Sequence, residues 1–136
     1  MNALYHAHSG LRYLVLLVGL IALLVFAYAL ITRRPVRGAP GFTAAFTGLL
    51  DLQLVLGFGL FFGGIDYDAL VGHMMMMILA AVAANGSAIL APRATTERQE
   101  LVMRIGGIII TLACIVIGTL AIGRSILGFA PITIVH

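Results

Sequence analysis

Charge is scarce in this sequence. Only 10% of its 136 residues are Asp, Glu, Lys or Arg, 62% are hydrophobic, and the mean hydropathy is +1.14. A soluble domain carries roughly a quarter charged residues. A chain this apolar cannot hide its surface in one small core, so the bilayer must take part of it. Cysteine is nearly absent. Cys114 alone, inside an apolar run, excludes an internal disulfide and any CxxC metal or redox pair, which leaves packing. No Gly-rich phosphate loop, HExxH pair or nucleophile elbow occurs, so soluble-enzyme chemistry has no foothold. The net charge of +3 and pI near 9.6 invite a nucleic acid. Position argues otherwise. The arginines cluster in two short loops between apolar segments, and no basic, aromatic-studded surface is left.

Four apolar segments reach the roughly 20 residues that span a bilayer. They lie at about 11–31, 42–62, 69–91 and 102–123; the first could extend back towards Leu4 and the last on to Leu127. The N-terminal stretch has no basic n-region, and its apolar run is too long for a signal core, so it reads as the first membrane helix. Backbone polar groups in lipid must be satisfied within the segment. The expected fold is therefore an all-α membrane protein, one domain over residues 1–136. Short connections favour antiparallel neighbours, so its four transmembrane helices should form an up-down-up-down bundle.

Arg33, Arg34, Arg37, Arg93, Arg98 and Arg104 flank the first and third loops. Only Arg12 and Arg124 lie at the other surface, beside Asp66 and Asp68. The positive-inside rule places the first and third loops in the cytoplasm and both termini outside. The expected location is the bacterial cytoplasmic membrane. The tail Ser125–His136, mostly apolar and broken by Pro131, hints at other subunits of a membrane complex.

The residues that could carry chemistry are histidines at helix mouths. His8 precedes the core of the first span by about one turn, and His73 stands about one turn into the third. These helices run the same way and can lie diagonally across the core, so both imidazoles can project onto one central cofactor. A neutral imidazole is a good iron ligand. The bland alternative is two interfacial histidines bonded to loop carbonyls or water. His6 points nearly opposite to His8. The His8 stripe holds Val15, Gly19, Ala22 and Phe26, whose small residues favour the bundle interior. His136, at the end of the tail, reads as solvent-exposed.

Arg12, one turn after His8, either snorkels to headgroups or pairs with a haem propionate. Met76 and Met77 share the His73 side and read as cofactor lining, with axial ligation a lesser option. Asp51, near the centre of the second span, must be protonated, paired or beside water. Gluing helices is its first role, ahead of a proton path. Gln53 points away from Asp51, towards a different neighbour. Small-residue stripes at Gly48, Gly57 and Gly59, at Ala80, Ala81, Ala84 and Ser87, and at Gly107, Thr111, Cys114, Gly118 and Ala121 suit close helix packing. The two halves also look weakly alike. Each begins with a histidine at a helix mouth, turns at a Pro/Arg loop and returns through a glycine-bearing helix.

Three stretches taken together, His8-Ser9-Gly10-Leu11-Arg12-Tyr13, Leu52-Gln53-Leu54 with Leu56-Gly57, and His73-Met74-Met75, resemble the small four-helix bacterial membrane proteins labelled "cytochrome b"-like. The resemblance covers most of the chain and implies haem b. In that group a histidine opens helices one and three, matching His8 and His73. Some members carry a histidine beside the Leu-Gln-Leu segment, where this chain has Asp51. The absence of CxxCH excludes covalent attachment.

The expected function is electron transfer through haem b with His8 and His73 as axial ligands near the outer face. A quinone or a periplasmic redox protein is the expected partner. The rival expectation is a cofactor-free accessory or structural subunit of a larger respiratory or photosynthetic complex. A proton-coupled carrier using Asp51 comes third, because four helices are few for alternating access.

Overall fold

The computed structural model describes residues 2–64 and 70–126. Four α-helices make up nearly all of it: α1 (Asn2–Thr32), α2 (Ala39–Phe62), α3 (Leu70–Leu90) and α4 (Glu97–Ala121), with a 3-10 turn at Ala91–Arg93 between the last two. All four are long and apolar enough to cross a membrane, and no strand occurs among the described residues. Asp66, Asp68, Pro131 and His136 lie outside the described residues.

Three helices start earlier than hydropathy suggests, each for a local reason. α1 runs through the polar stretch Asn2–Gly10. Its 31 residues reach about 46 Å, well beyond a hydrocarbon core of roughly 30 Å, so its first turns are placed to project past it. α2 begins at Ala39 because Gly38 takes a left-handed conformation (φ 85°) and Pro40 falls in the first turn, where a missing N–H costs nothing. α4 begins at Glu97 because the Thr96 hydroxyl accepts from the Gln99 N–H at 3.2 Å. Glu97 and Glu100 then place negative charge at the positive end of the helix dipole.

The chain reverses at every connection. His8 meets Gln53 and Gly19 meets Phe46, so α1 and α2 are antiparallel. His73 meets Gly118 and Thr111 donates to the Ala80 carbonyl at 3.2 Å, so α3 and α4 are as well. α1 and α3 each pack on α2 and α4 and face one another across the diagonal. Val15, Phe26, Phe46, Leu50 and Thr111 fill the core, with Ala22, Ala80 and Ala84 between them. The outward faces carry Leu17, Leu24, Ile31, Phe62, Val71 and Val82, a surface suited to lipid rather than water.

Close approach depends on three glycines, Gly19, Gly107 and Gly118. A Cβ on Gly19 would stand 2.6 Å from the Phe46 ring, and one on Gly107 would overlap the Ser87 side chain. Gly48, expected at a helix contact, instead faces open space, and Ala121 is exposed. Gly107→Val should therefore destabilise the bundle by roughly 1–3 kcal/mol through overpacking. Gly48→Ala should leave the melting temperature in detergent unchanged or slightly raised. Equal effects of the two substitutions would contradict this packing.

The two halves repeat at a fixed interval. His73 stands 65 residues after His8, and Gly118 stands 65 after Gln53. Many of the buried positions follow the same offset. Val15, Gly19 and Phe26 correspond to Ala80, Ala84 and Ala91; Ala39, Thr43, Phe46 and Leu50 correspond to Arg104, Ile108, Thr111 and Ile115, all buried. Residue identity is almost absent at this offset, so the repetition lies in packing rather than in letters.

Candidate functional site

Both helix-mouth histidines turn into the bundle, each towards the helix that follows it. His8 Nδ1 lies 3.1 Å from the Gln53 carbonyl, and its ring packs on Gly57, where a Cβ would stand 3.1 Å from Cε1. His73 Nδ1 lies 2.8 Å from the Gly118 carbonyl. A carbonyl oxygen only accepts, so in both rings Nδ1 carries the proton and Nε2 keeps its lone pair. A backbone carbonyl that fixes this tautomer is the usual outer support of a metal-binding imidazole. His6 is exposed and touches the edge of the Tyr5 ring, so His8 is the inward member of the pair.

The two imidazoles lie within electrostatic reach of each other, and both feel Arg12 and Arg124. Their depths follow from the helix register. His73 is level with Gly118 of α4. Gly19 against Leu112 and Tyr5 against Arg124 place position 118 near Arg12 of α1. Through α4, His73 thus stands near the level of Arg12, at the same end of the bundle as His8.

Gln53 holds His8 at more than one point. Its Nε2 donates to the His8 carbonyl at 2.9 Å and stands 3.4 Å from His8 Nε2. Its Oε1 is buried and finds no donor among the described residues. An iron at His8 Nε2 would require this amide to swing aside, which keeps the bond to the His8 carbonyl only if the amide turns about it. On the His73 side, Gly118 makes the room: a Cβ there would stand 2.8 Å from the Met77 methyl and 2.9 Å from Met76 Cβ. Both methionines are half-buried beside His73.

Arg12 donates to the Tyr13 hydroxyl at 3.0 Å and lies 4.9 Å from that ring's centroid. Its Nε–H is buried and finds no acceptor among the described residues. Among those residues no group of three or more His, Cys, Asp or Glu side chains is arranged to hold a bare metal ion. Two imidazoles serve a metal that brings equatorial ligands of its own, as porphyrin iron does. The donor set here fits such a group once the Gln53 amide turns off His8 Nε2: two unprotonated ring nitrogens, and an arginine N–H without an acceptor among the described residues.

Other polar residues take structural posts. Asp51 accepts from Asn85 Nδ2 at 2.9 Å, and Asn85 also donates to the Ala81 carbonyl at 3.1 Å, tying α2 to α3. Asp51→Asn keeps an acceptor there and should leave stability nearly unchanged. Asp51→Leu should cost about 0.5–1.5 kcal/mol in detergent unfolding, the usual worth of one interhelical bond. The reverse order would mean that the carboxylate charge itself is required. Arg104, counted above among the loop arginines, is 2% exposed and bonded to Glu100 and Thr43 inside the bundle. The sequence reading missed Arg124, whose guanidinium donates to the Tyr5 hydroxyl at 2.6 Å across the histidine end. It also missed Asn85, visible as a lone amide in an apolar helix.

No family model matches this chain, and neither a curated protein nor a solved structure shows significant similarity to it.

Proposed function

We propose that the bundle binds haem b between His8 and His73 and serves as an electron carrier. The observation that supports this most is the shared tautomer: two inward imidazoles on diagonal helices, each with Nδ1–H on a neighbouring carbonyl and Nε2 unprotonated. Bound haem would supply a one-electron couple at iron. The chain's own residues do the rest. His8 and His73 would hold the iron through their Nε2 atoms, and a donor set closed by two protein side chains favours electron transfer over oxygen chemistry. The Gln53 and Gly118 carbonyls keep the rings in one tautomer and one orientation. Met76 and Met77 offer adaptable apolar contact to a flat ring. Arg12 brings a buried N–H to an acid group at the ring's edge.

The arginine asymmetry supports an up-down-up-down chain in a bacterial cytoplasmic membrane with both termini outside. The histidine end then faces outward, within reach of a quinone or a periplasmic redox protein. The test is a reduced-minus-oxidised spectrum of protein purified from haem-replete cells. A b-type band at one haem per chain is expected. Its absence would reject the reading and leave a cofactor-free subunit of a larger complex.

A further inference from the structure

Two arginines, not one, stand at the histidine end, and each is presented by a tyrosine hydroxyl. Arg12 on α1 is bonded to Tyr13; Arg124, beyond the end of α4, is bonded to Tyr5. The position of Arg124 is built. Gly123 adopts φ 68°, the Gly123 N–H bonds the Leu120 carbonyl at 2.9 Å, and the Arg124 N–H reaches back to the Thr119 carbonyl at 3.3 Å. This left-handed cap turns the chain sharply off α4. It sends the Arg124 side chain across to the first turns of α1, where the Tyr5 ring lies 5.2 Å from the guanidinium carbon.

Neither guanidinium has a carboxylate partner among the described residues, whose one salt bridge is Arg104 with Glu100. Two half-buried cations at one end of an apolar bundle are unfavourable company for each other. Tyrosine hydroxyls orient them without neutralising them. Arg12 in addition keeps a buried N–H unfilled. Both act on both histidines. Among the described residues no negative charge meets either guanidinium, and two fork-shaped donors match two carboxylates.

We infer that Arg12 and Arg124 form a two-point clamp for a ligand bearing two acid groups. Resting on the haem reading, these are the two propionates, and Tyr5 is the positioning residue for Arg124. The clamp also fixes direction: the acid edge of the ring points towards the first turns of α1, and the apolar edge points into the bundle.

The test compares protohaem with its dimethyl ester, in which both acids are blocked, by absorbance titration of the purified apo-protein in detergent. Wild type should bind protohaem about 100-fold more tightly than the ester, the worth of two charge-assisted pairs at about tenfold each. Arg12→Gln and Arg124→Gln should each weaken protohaem binding about tenfold while leaving ester affinity unchanged. The double variant should no longer distinguish the two. Unchanged ester affinity also shows that the variants are folded. Equal affinity of wild type for both compounds would overturn the clamp and leave histidine ligation standing. So would variants that lose protohaem and ester in parallel. Failure of wild type to bind either compound would overturn the haem reading itself, and the clamp with it.

Discussion

Replacing His73 with alanine should remove the six-coordinate haem spectrum and lower haem affinity by more than about 100-fold. Losing even an outer-shell partner of a metal ligand typically costs 10–100-fold, and His73 is proposed as the ligand itself. No nearby group replaces it well. Met76 and Met77 are close, but a thioether in place of an imidazole would shift both the band and the potential. His8→Ala should behave alike. Its neighbour His6 is exposed and directed away from the bundle, so it offers no substitute. His6→Ala is therefore the control and should leave band and affinity intact. Added imidazole should restore six-coordination to either single variant, because alanine leaves a ring-sized gap. A b-type band that survives the double substitution His8→Ala/His73→Ala would end the bis-histidine reading. Loss of the band in His6→Ala alone would move the ligand by two residues.

Arg104→Ala should be the most destabilising single change in the chain, by about 3 kcal/mol. The guanidinium is 2% exposed. Its Nε and one terminal nitrogen bond Glu100 at 3.0 and 2.7 Å, its other terminal nitrogen bonds Thr43, and its carbon lies 6.0 Å from the Phe26 ring centroid. The residue thus ties α4 to α2 and covers a core aromatic of α1. Removing one partner of a buried ion pair usually costs 3–5 kcal/mol. Glu100 remains 32% exposed and can hydrate after the loss, which favours the low end. Arg104→Lys should recover little, since an ammonium cannot supply the planar fork. Arg104→Met with Glu100→Gln should recover most of the stability, because no unpaired charge is left. Thermal unfolding of the detergent-solubilised protein reads all three. A melting temperature for Arg104→Ala within a degree of wild type would show that the pair holds nothing together. Arg104 lies about 21 Å along α4 from Gly118, so the haem spectrum of folded variants should not move.

The spans were legible because hydropathy needs no partner: a run of 20 apolar residues declares itself. The inward face of α1 was legible too. Val15, Gly19, Ala22 and Phe26 follow His8 at helical spacing, and all four are buried. Other faces were not, for a physical reason. A helix meant for lipid is apolar all round, so its pattern scarcely distinguishes a neighbour from solvent hydrocarbon. That is why Gly48 was assigned to a contact it does not make, and why Arg104 was counted with the loop arginines. Helix starts were displaced where capping outweighed hydropathy, at Pro40 and Thr96. The pairs Arg124–Tyr5, His8–Gln53 and Asp51–Asn85 join residues 34 or more positions apart. Periodicity within one helix carries no information about such distant partners.

The 65-residue offset has a consequence for crossing number. A unit that returns to its starting side, as a two-span hairpin does, can be joined end to end with a copy of itself and keep both imidazoles beneath one leaflet. A unit with an odd number of spans would invert its copy and send the second imidazole to the far side. Evenness is thus the condition for a single chain to bring two ring nitrogens to one point. Gaining or losing one crossing between His8 and His73 would strand each histidine alone on its own side of the bilayer.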